Sequence, residues 1–233
     1  MICYNLLIEF LCGSGGKMSY KRKLNELTIK DNFMFGAVMA DEENCRRLLE
    51  LVLGIPIGWV KVSLEKSIVY HPEYKGVRLD VYAEDDAHTH YNVEMQVARK
   101  RELGRRSRYY HSQIDMELML TGTDYAKLSN VYVIFICDFD PFGMRKYKYT
   151  FRSICLEDNK LNLQDGCTSI FLSTRGENKE DVSADLVKFL AFVKADLQES
   201  MEDFDDAYIM QLQNTICRIK SSREMEERFM ILQ

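Results

Sequence analysis

The chain has 233 residues, of which 46% are hydrophobic and 29% charged, as expected for a globular protein with a full core. Its formal net charge is −5, so the overall charge provides no attraction to nucleic acid. A protein that binds a polyanion through global charge is therefore excluded, and any such contact requires a local concentration of Lys and Arg. The apolar stretch at residues 1–11 is too short to span a bilayer and lacks the basic start of a secretory signal.

Cysteine usage and the N-terminus set the expected compartment and the domain limits. The seven cysteines are scattered and form no C-x-x-C pair, which argues against a disulfide framework or a zinc ribbon and favours reduced thiols in the cytoplasm. We interpret residues 1–17 as a disordered extension or the product of a misassigned start codon, with translation beginning at Met18. Residues 18–233 contain no repeat or Pro/Gly-rich linker, so we expect one domain without membrane association.

Hydrophobic periodicity predicts alternating helices and strands. In chain order, we expect helices at 28–40 and 42–53, strands at 67–70, 77–84 and 91–97, a helix at 104–121, strands at 131–137, 147–155 and 169–172, and helices at 181–199 and 203–230. Thr28, with Asp31 three places on, resembles a capping box, and Gly54 is suited to end the second helix. The pattern predicts an α/β fold, in which a mixed central β-sheet is flanked by helices and extra helices follow at the C-terminus.

An apolar stripe in the last predicted helix has two interpretations. Its members recur at helical spacing, so they lie on one face of the helix. The stripe either packs into the core of its own chain or forms the interface of a homodimer. Its residues are Phe204, Tyr208, Leu212, Ile216 and Ile219.

Two carboxylates are expected to face each other in the hairpin formed by strands 77–84 and 91–97. If the turn is centred on Ala87, then Asp80 lies opposite Glu94, with Cβ atoms about 4.5–5.5 Å apart. Like charges at this distance destabilise a hairpin unless a proton or cation compensates them. A divalent ion with oxygen ligands is one solution, and Mg²⁺ is commonly held by one or two carboxylates with phosphate and water, with Mn²⁺ as the alternative ion. The other interpretation is a solvated polar face on which Arg78 neutralises Asp80.

A basic run follows the strand that carries Glu94. Six cations lie between positions 99 and 108, offset only by Glu102, and such a run supplies the attraction to phosphate that the overall charge lacks. Arg105 and Arg108 are the expected backbone contacts. Tyr109, Tyr110 and Gln113 continue at helical spacing. We expect one tyrosine to pack in the core, and we assign a phosphate or metal-water contact to Tyr109 and Gln113.

Four ordered motifs resemble those of a known family. They are R-L-D-V-Y-A, Y-N-V-E-M-Q, R-S-R-Y-Y-H-S-Q-I-D and V-Y-V-I-F-I-C-D-F-D-P-F-G, within a resemblance that spans residues 24–228. The chain is similar to the PD-(D/E)XK nuclease family transposases, also called recombination-promoting nucleases. This resemblance implies a restriction-endonuclease-like core with metal ligands on adjacent antiparallel strands.

The resemblance also implies roles for particular residues. Asp80 and Glu94 match the two acidic motif positions, and Gln96 falls where the wider superfamily usually has Lys. A glutamine can orient water through its amide but supplies no positive charge. Asp31 resembles an acid on the first helix that faces the metal, although an acid at the start of a helix also favours the helix dipole.

The resemblance implies a magnesium-dependent endonuclease that hydrolyses phosphodiester bonds in double-stranded DNA, with a link to recombination or transposition. The catalytic residues would be Asp80, Glu94, Gln96 and Asp31. The alternative is a catalytically weak or inactive DNA-binding module that retains the fold. A third hypothesis is a toxin-like or phage-defence effector that assembly holds inactive.

Overall fold

The computed structural model of the protein describes residues 22–69, 73 and 75–232. The predicted extension at residues 1–17 lies outside this part of the chain. The helices are α1 (Asn32–Met39), α2 (Glu42–Leu53), α3 (Leu103–Leu118), α4 (Ala184–Lys194), α5 (Ala207–Lys220) and α6 (Arg223–Ile231). The strands are β1 (Val60–Ile68), β2 (Val77–Asp85), β3 (His90–Gln96), β4 (Val131–Cys137), β5 (Lys148–Phe151) and β6 (Cys167–Ser173).

The strands form one mixed sheet in the order β1-β2-β3-β4-β6-β5. The pairs β1–β2, β2–β3 and β5–β6 are antiparallel, whereas β3–β4 and β4–β6 are parallel. Helix α3 makes the crossover between the parallel strands β3 and β4, as parallel neighbours require. The predicted α/β fold with a mixed central sheet, consistent with a restriction-endonuclease-like core, is confirmed.

Helices cover both faces of the sheet, so the central strand β4 is buried on both sides. Val133 and Phe135 pack beneath α3, against Tyr110 and neighbouring apolar residues. Ile134 and Ile136 point to the opposite face, into the larger core that α1, α2, α4 and α5 form. The continuous apolar run of β4 is explained by this double coverage.

Helix α1 begins at Asn32 and not at Thr28, so the predicted capping box is wrong. The Thr28 amide donates to Asp31 Oδ2 at 2.7 Å, and the Asp31 amide donates to the Thr28 carbonyl at 3.1 Å. This tight turn uses the polar groups that a helix starting at Thr28 would need. The first helical hydrogen bond instead joins the Phe35 amide to the Asp31 carbonyl at 2.8 Å.

Other elements also differ from the prediction in their limits. Strand β1 begins at Val60, well before the predicted 67–70. Its apolar–polar alternation is interrupted by the polar run Glu65–Ser67, in which Glu65 has no paired residue in β2. The predicted helix at 203–230 is two helices, because Ser222 accepts a hydrogen bond from the Met225 amide and caps α6. Strand β5 ends at Phe151, four residues short of the predicted limit.

The apolar stripe of α5 packs within its own chain. Leu212 is fully buried, and the Tyr208 hydroxyl donates to the Asn44 carbonyl of α2 at 2.7 Å. Ile216 and Ile219 belong to the same core, and Phe204 packs against it. This favours the intramolecular interpretation of the stripe, and a homodimer stays a prediction.

The reduced state of the cysteines stays a prediction. Within the described residues, five cysteines are present and all are free. Burial raises the pKa of the Cys137 thiol to about 12, so this residue acts as a small apolar side chain in β4.

Candidate active site

The hairpin of β2 and β3 is closed near its turn and open at its other end. The paired residues run from Glu84 opposite His90 to Val81 opposite Val93, which confirms the predicted register over this stretch. Beyond Val81, backbone amides of the two strands donate to side-chain carboxylates and no longer to backbone carbonyls of the partner strand. The Asp80 amide donates to Glu94 Oε1 at 3.3 Å, and the Met95 amide donates to Asp80 Oδ2 at 3.4 Å. The two carboxylates thus lie together where the strands part, which we call the fork.

Glu94 is the buried member of the fork, with 0% of its side chain exposed. Its Oε1 accepts from the Asp80 amide and from Asn92 Nδ2 at 3.2 Å. Its Oε2 accepts from Arg106 Nη2 at 2.5 Å and from the Tyr110 hydroxyl at 3.3 Å. Four donors therefore converge on one carboxylate, and one of them carries a full positive charge.

The fork shifts the pKa of both carboxyl groups upward. Burial, followed by the charge of Asp80, raises the pKa of Glu94 to about 7, although Arg106 opposes the shift. Burial also raises the pKa of Asp80, against the hydrogen bond from the Met95 amide and the charge of Arg106. Because two nearby carboxylates disfavour their joint ionisation, an additional cation at the fork would stabilise their charged forms.

Arg106 was not among the residues assigned to the site from sequence. Its Nη1 donates to Gln96 Oε1 at 3.1 Å, and its Nε donates to the Tyr110 hydroxyl at 2.5 Å. The guanidinium carbon lies 5.0 Å from the centre of the Tyr110 ring and 5.7 Å from that of Phe135. Contacts on both its edge and its face therefore fix the guanidinium beside Glu94.

Helical spacing could have identified Arg106 in the sequence. Leu103, Arg106, Tyr110 and Ile114 recur at intervals of three and four residues, which places them on one face of α3. The other three are buried in the core beneath this helix. A cation on an otherwise apolar, sheet-facing stripe requires a buried acid as its partner, and Glu94 is that acid.

Gln96 lies beside the fork with 6% of its surface exposed. Its amide nitrogen donates to the Met95 carbonyl at 2.9 Å, and its amide oxygen accepts from Arg106. The structure thus brings Asp80, Glu94 and Gln96 together, as predicted. The amide is already oriented by its neighbours, which leaves one N–H and one lone pair for another contact.

The donor atoms of the fork suit a hard divalent ion. Asp80 and Glu94 offer carboxylate oxygens from adjacent strands, and neither His nor Cys contributes a softer ligand. Throughout the described part of the chain, no three His, Cys, Asp or Glu side chains form a group that could hold a metal. Two carboxylates fit Mg²⁺, which commonly takes one or two from the protein and completes its shell with water and phosphate.

Asp31 is engaged outside the fork. Its Oδ1 forms an ion pair with Arg22 at 2.5 Å, and its Oδ2 accepts from the Thr28 amide at 2.7 Å. The Asp31 carboxylate therefore holds the turn before α1, and its role at the metal stays a prediction.

A basic cleft of about 670 Å³ opens beside the fork. It is formed by the start of β2 with the segment before it, and by α3 with the segment that precedes that helix. The Tyr109 hydroxyl donates to the Lys75 carbonyl across the cleft. Its polar and aromatic lining consists of Lys75, Arg78, Lys100, Glu102, Arg105, Arg106, Arg108, Tyr109 and Tyr110.

The predicted DNA contacts divide into two groups. Arg105 and Arg108 are exposed on α3 and line the cleft, as does the half-buried Tyr109. Gln113 is buried with 8% exposed and is not among the lining residues. Tyr110 is the tyrosine that packs in the core. Lys75 and Arg78 join the cleft from the β2 side, and their distance from the basic run concealed them in the sequence.

Comparison with known proteins identifies a family but no individual relative. No curated protein and no solved structure matches the chain. Among the helices of the described ranges, none combines the length and the apolar character that a membrane span requires. A family model described as PD-(D/E)XK nuclease family transposase matches residues 29–231, a range that includes the fork, α3 and the basic cleft. The chain therefore belongs to the PD-(D/E)XK nuclease family transposases, a membership that indicates a nuclease or transposition role.

Proposed function

We propose that the protein is a magnesium-dependent endonuclease that hydrolyses phosphodiester bonds in double-stranded DNA, in the service of recombination or transposition. The observation that carries the proposal is the position of the fork at the edge of a basic cleft. Asp80 and Glu94 supply oxygen ligands, while Arg105 and Arg108 supply charge that attracts phosphate. Net charge does not oppose this function, because the cations are concentrated where the backbone would lie.

Asp80 and Glu94 hold the divalent ion in this proposal. When bound, Mg²⁺, or Mn²⁺ in its place, lowers the pKa of a ligand water and offsets the charge that develops on phosphorus. The Asp80 carboxylate is half-buried and engaged through Oδ2, so its other oxygen faces fewer competing donors. Both carboxylate oxygens of Glu94 accept hydrogen bonds from protein groups. A divalent ion therefore binds Glu94 only when one of these donors moves away.

Gln96 positions the attacking water, and the cleft residues hold the DNA backbone. The free lone pair and N–H of the Gln96 amide lie on a group that Arg106 and the Met95 carbonyl already orient. Tyr109 contributes a planar surface at the cleft beside Arg105 and Arg108. The burial of Gln113 favours a packing role within α3 over a direct contact with phosphate. For Asp31, the contacts with Thr28 and Arg22 favour the structural alternative.

A supercoiled-plasmid assay tests the proposal. We expect nicking in Mg²⁺ or Mn²⁺ that stops in EDTA and falls at least about 1000-fold in Asp80→Asn and Glu94→Gln, since both water activation and charge stabilisation are lost. Asp86→Asn is the matched control, because Asp86 is an exposed acid on the same hairpin. Equal nicking by the wild type and both fork variants would overturn the assignment of the site.

The dependence of DNA binding on salt tests the cleft. Replacing both Arg105 and Arg108 with Met removes two phosphate contacts, so the slope of log affinity against log salt should fall by about 1.8. Fluorescence anisotropy with a labelled duplex in Ca²⁺ measures this slope without cleavage. An unchanged slope would place the DNA on a different surface.

A DNA-binding module without turnover is the second candidate. The observation that favours it is the neutral Gln96, together with the Arg106 guanidinium that occupies Glu94 Oε2. This candidate predicts metal-dependent binding in the anisotropy experiment, with no nicking of plasmid in any metal. Restoring a cation at position 96 with Gln96→Lys should then produce cleavage.

A further inference from the structure

The positive charge nearest to the fork comes from α3. Arg106 contacts Glu94 and Gln96 at once, and 28% of its side chain remains exposed because it also lines the basic cleft. It therefore connects the carboxylates to the surface on which phosphate would lie. Arg105 and Arg108, on the same helix, are exposed in the cleft.

The hydrogen-bonding capacity of Arg106 is only partly used. A guanidinium has five N–H groups in a fixed planar arrangement. One goes to Glu94, one to Gln96 and one to Tyr110. One N–H remains on each terminal nitrogen, and two such donors match the spacing of two phosphate oxygens.

The fork with a bound divalent ion has no excess positive charge for a phosphate, and Arg106 can supply that charge. Two ionised carboxylates and one divalent cation sum to zero, so the metal centre alone carries no excess positive charge for a phosphate. Gln96 adds none, because an amide is neutral. The transition state of phosphodiester hydrolysis concentrates negative charge on the non-bridging oxygens, and a preorganised cation beside them lowers the barrier.

We propose that Arg106 is a catalytic residue that contacts the reacting phosphate and stabilises the charge that develops on it. The inference rests on the proposed nuclease function and names the residue that replaces a cation at position 96. In the metal-free protein, Arg106 neutralises Glu94. When a divalent ion takes Glu94 Oε2, the guanidinium turns to the phosphate from the same helix.

The hydrolysis itself does not consume Arg106. The oxygen of water forms a bond to phosphorus, one phosphorus–ester oxygen bond breaks, and the departing oxygen ends with a proton that water supplies. Arg106 takes no part in these bond changes. Its contribution is confined to hydrogen bonds and charge.

A purely structural role of Arg106 predicts a different cleavage rate for Arg106→Met. If Arg106 only neutralises Glu94, a bound divalent ion replaces that charge, and Arg106→Met should cleave normally once metal is saturating. If Arg106 contacts the phosphate, the same variant should bind metal at least as well, because a competitor for Glu94 Oε2 is gone, and yet should cleave slowly.

The experiment measures Mn²⁺ affinity by calorimetry and single-turnover cleavage of a duplex at saturating Mn²⁺ and enzyme. For Arg106→Met we expect Mn²⁺ binding equal to or tighter than that of the wild type and cleavage slower by about 100-fold. Arg223→Met is the matched control, since Arg223 is exposed on α6 and pairs with Glu227. Cleavage within about threefold of the wild type, or a loss of cleavage that equals the loss of Mn²⁺ binding, would overturn the proposal.

Arg106→Lys keeps the proposal testable if Arg106→Met does not fold. Lysine retains the charge opposite Glu94 but loses the two parallel donors, so we expect unchanged Mn²⁺ binding and cleavage about tenfold slower. Wild-type cleavage by this variant would overturn the proposed contact through two parallel donors.

Failure of the nuclease function is distinguishable from failure of this inference. If the wild type cuts no DNA in Mg²⁺ or Mn²⁺, the endonuclease proposal fails. Anisotropy in Ca²⁺ then still reports the contact with phosphate. Arg106→Met, or Arg106→Lys if the former does not fold, should lower the duplex affinity. For Arg106→Met, the salt slope should also fall by about 0.9. Affinity unchanged from the wild type would overturn the role of Arg106.

Discussion

The β2–β3 hairpin buries a carboxylate at each end, and the two have different surroundings. Asp85, at the turn, is 6% exposed, and Glu94, at the fork, is also buried. The Asp85 carboxylate accepts from the amides of Ala87 and Thr89 at 2.9 and 2.8 Å and from the Tyr91 hydroxyl at 2.6 Å. All three donors are neutral and come from residues within six positions of Asp85.

Glu94 has four donors, one more than Asp85, yet they do not determine whether Glu94 is charged. One is the cation of Arg106, and a second carboxylate, Asp80, lies beside it. The comparison teaches that burial of an acid does not by itself mark a site. Neutral local donors satisfy the hydrogen-bonding capacity of the Asp85 carboxylate and shape the turn. Glu94 instead lies among charged side chains whose contacts a bound ligand can change.

The largest expected contrast is in stability. Asp85→Ala removes three hydrogen bonds and leaves buried donors without partners, so we expect a loss of about 3 kcal/mol in the free energy of unfolding. Cleavage by the folded fraction should not change. Urea unfolding, followed by the plasmid assay at a temperature where the variant is folded, measures both. Loss of cleavage in a fully folded Asp85→Ala protein would contradict the distinction between a structural carboxylate at the turn and a functional one at the fork.

The two tyrosines that donate to these carboxylates sharpen the comparison. Tyr110→Phe frees the Arg106 guanidinium, so we expect cleavage about tenfold slower with Mn²⁺ binding unchanged, since a misplaced catalytic group loses rate and not metal. Tyr91→Phe removes the donor to Asp85 and should cost about 1 kcal/mol of stability. Single-turnover kinetics and urea unfolding of both variants test this. Equal effects of the two substitutions on rate would contradict it.

The smallest expected effect is a dependence of stability on pH. The folded protein binds the Glu94 proton more tightly than the unfolded chain, because burial and Asp80 raise its pKa to about 7 from 4.5. The contribution of Glu94 is thus fully present below its unfolded pKa and is lost as pH rises through the folded pKa. Asp80→Asn removes the neighbouring charge and reduces this loss.

Without metal, Asp80→Asn should therefore be more stable than the wild type by about 1 kcal/mol at about pH 8, with a smaller difference at about pH 5. Thermal unfolding in EDTA at both pH values measures the difference. A variant that is less stable than the wild type at the higher pH would show that the fork carries no unfavourable charge.

The sequence predicts the hairpin well because its register follows from alternation and turn chemistry. Asp85 and Thr89 bracket the turn, and the pairing of Glu84 with His90 fixes every later pair. The juxtaposition of Asp80 and Glu94 follows from that register. The separation of the two strands beyond Val81 does not follow from the register. It depends on the Asp80 and Glu94 side chains, which accept from backbone amides in place of backbone carbonyls.

The rest of the site depends on contacts between distant segments. Arg106 meets Glu94 only because α3 crosses the sheet above β3 and β4, a placement that its helical spacing does not specify. Lys75 and Arg78 reach the cleft through the packing of β2 beside α3. The role of Asp31 at the metal comes from family resemblance and stays a prediction, and the local turn that its carboxylate forms with Thr28 is not visible in the motifs.

Anomalous diffraction from crystals soaked in Mn²⁺ tests the central claim most directly. The account predicts a peak at the fork with Asp80 and Glu94 oxygens about 2.1 Å away, as for a hard octahedral ion, and with Arg106 displaced from Glu94 Oε2. Crystals of Asp80→Asn should lack that peak, while those of Asp86→Asn should retain it. A fork without density, with Arg106 still bound to Glu94 at saturating Mn²⁺, would contradict the account.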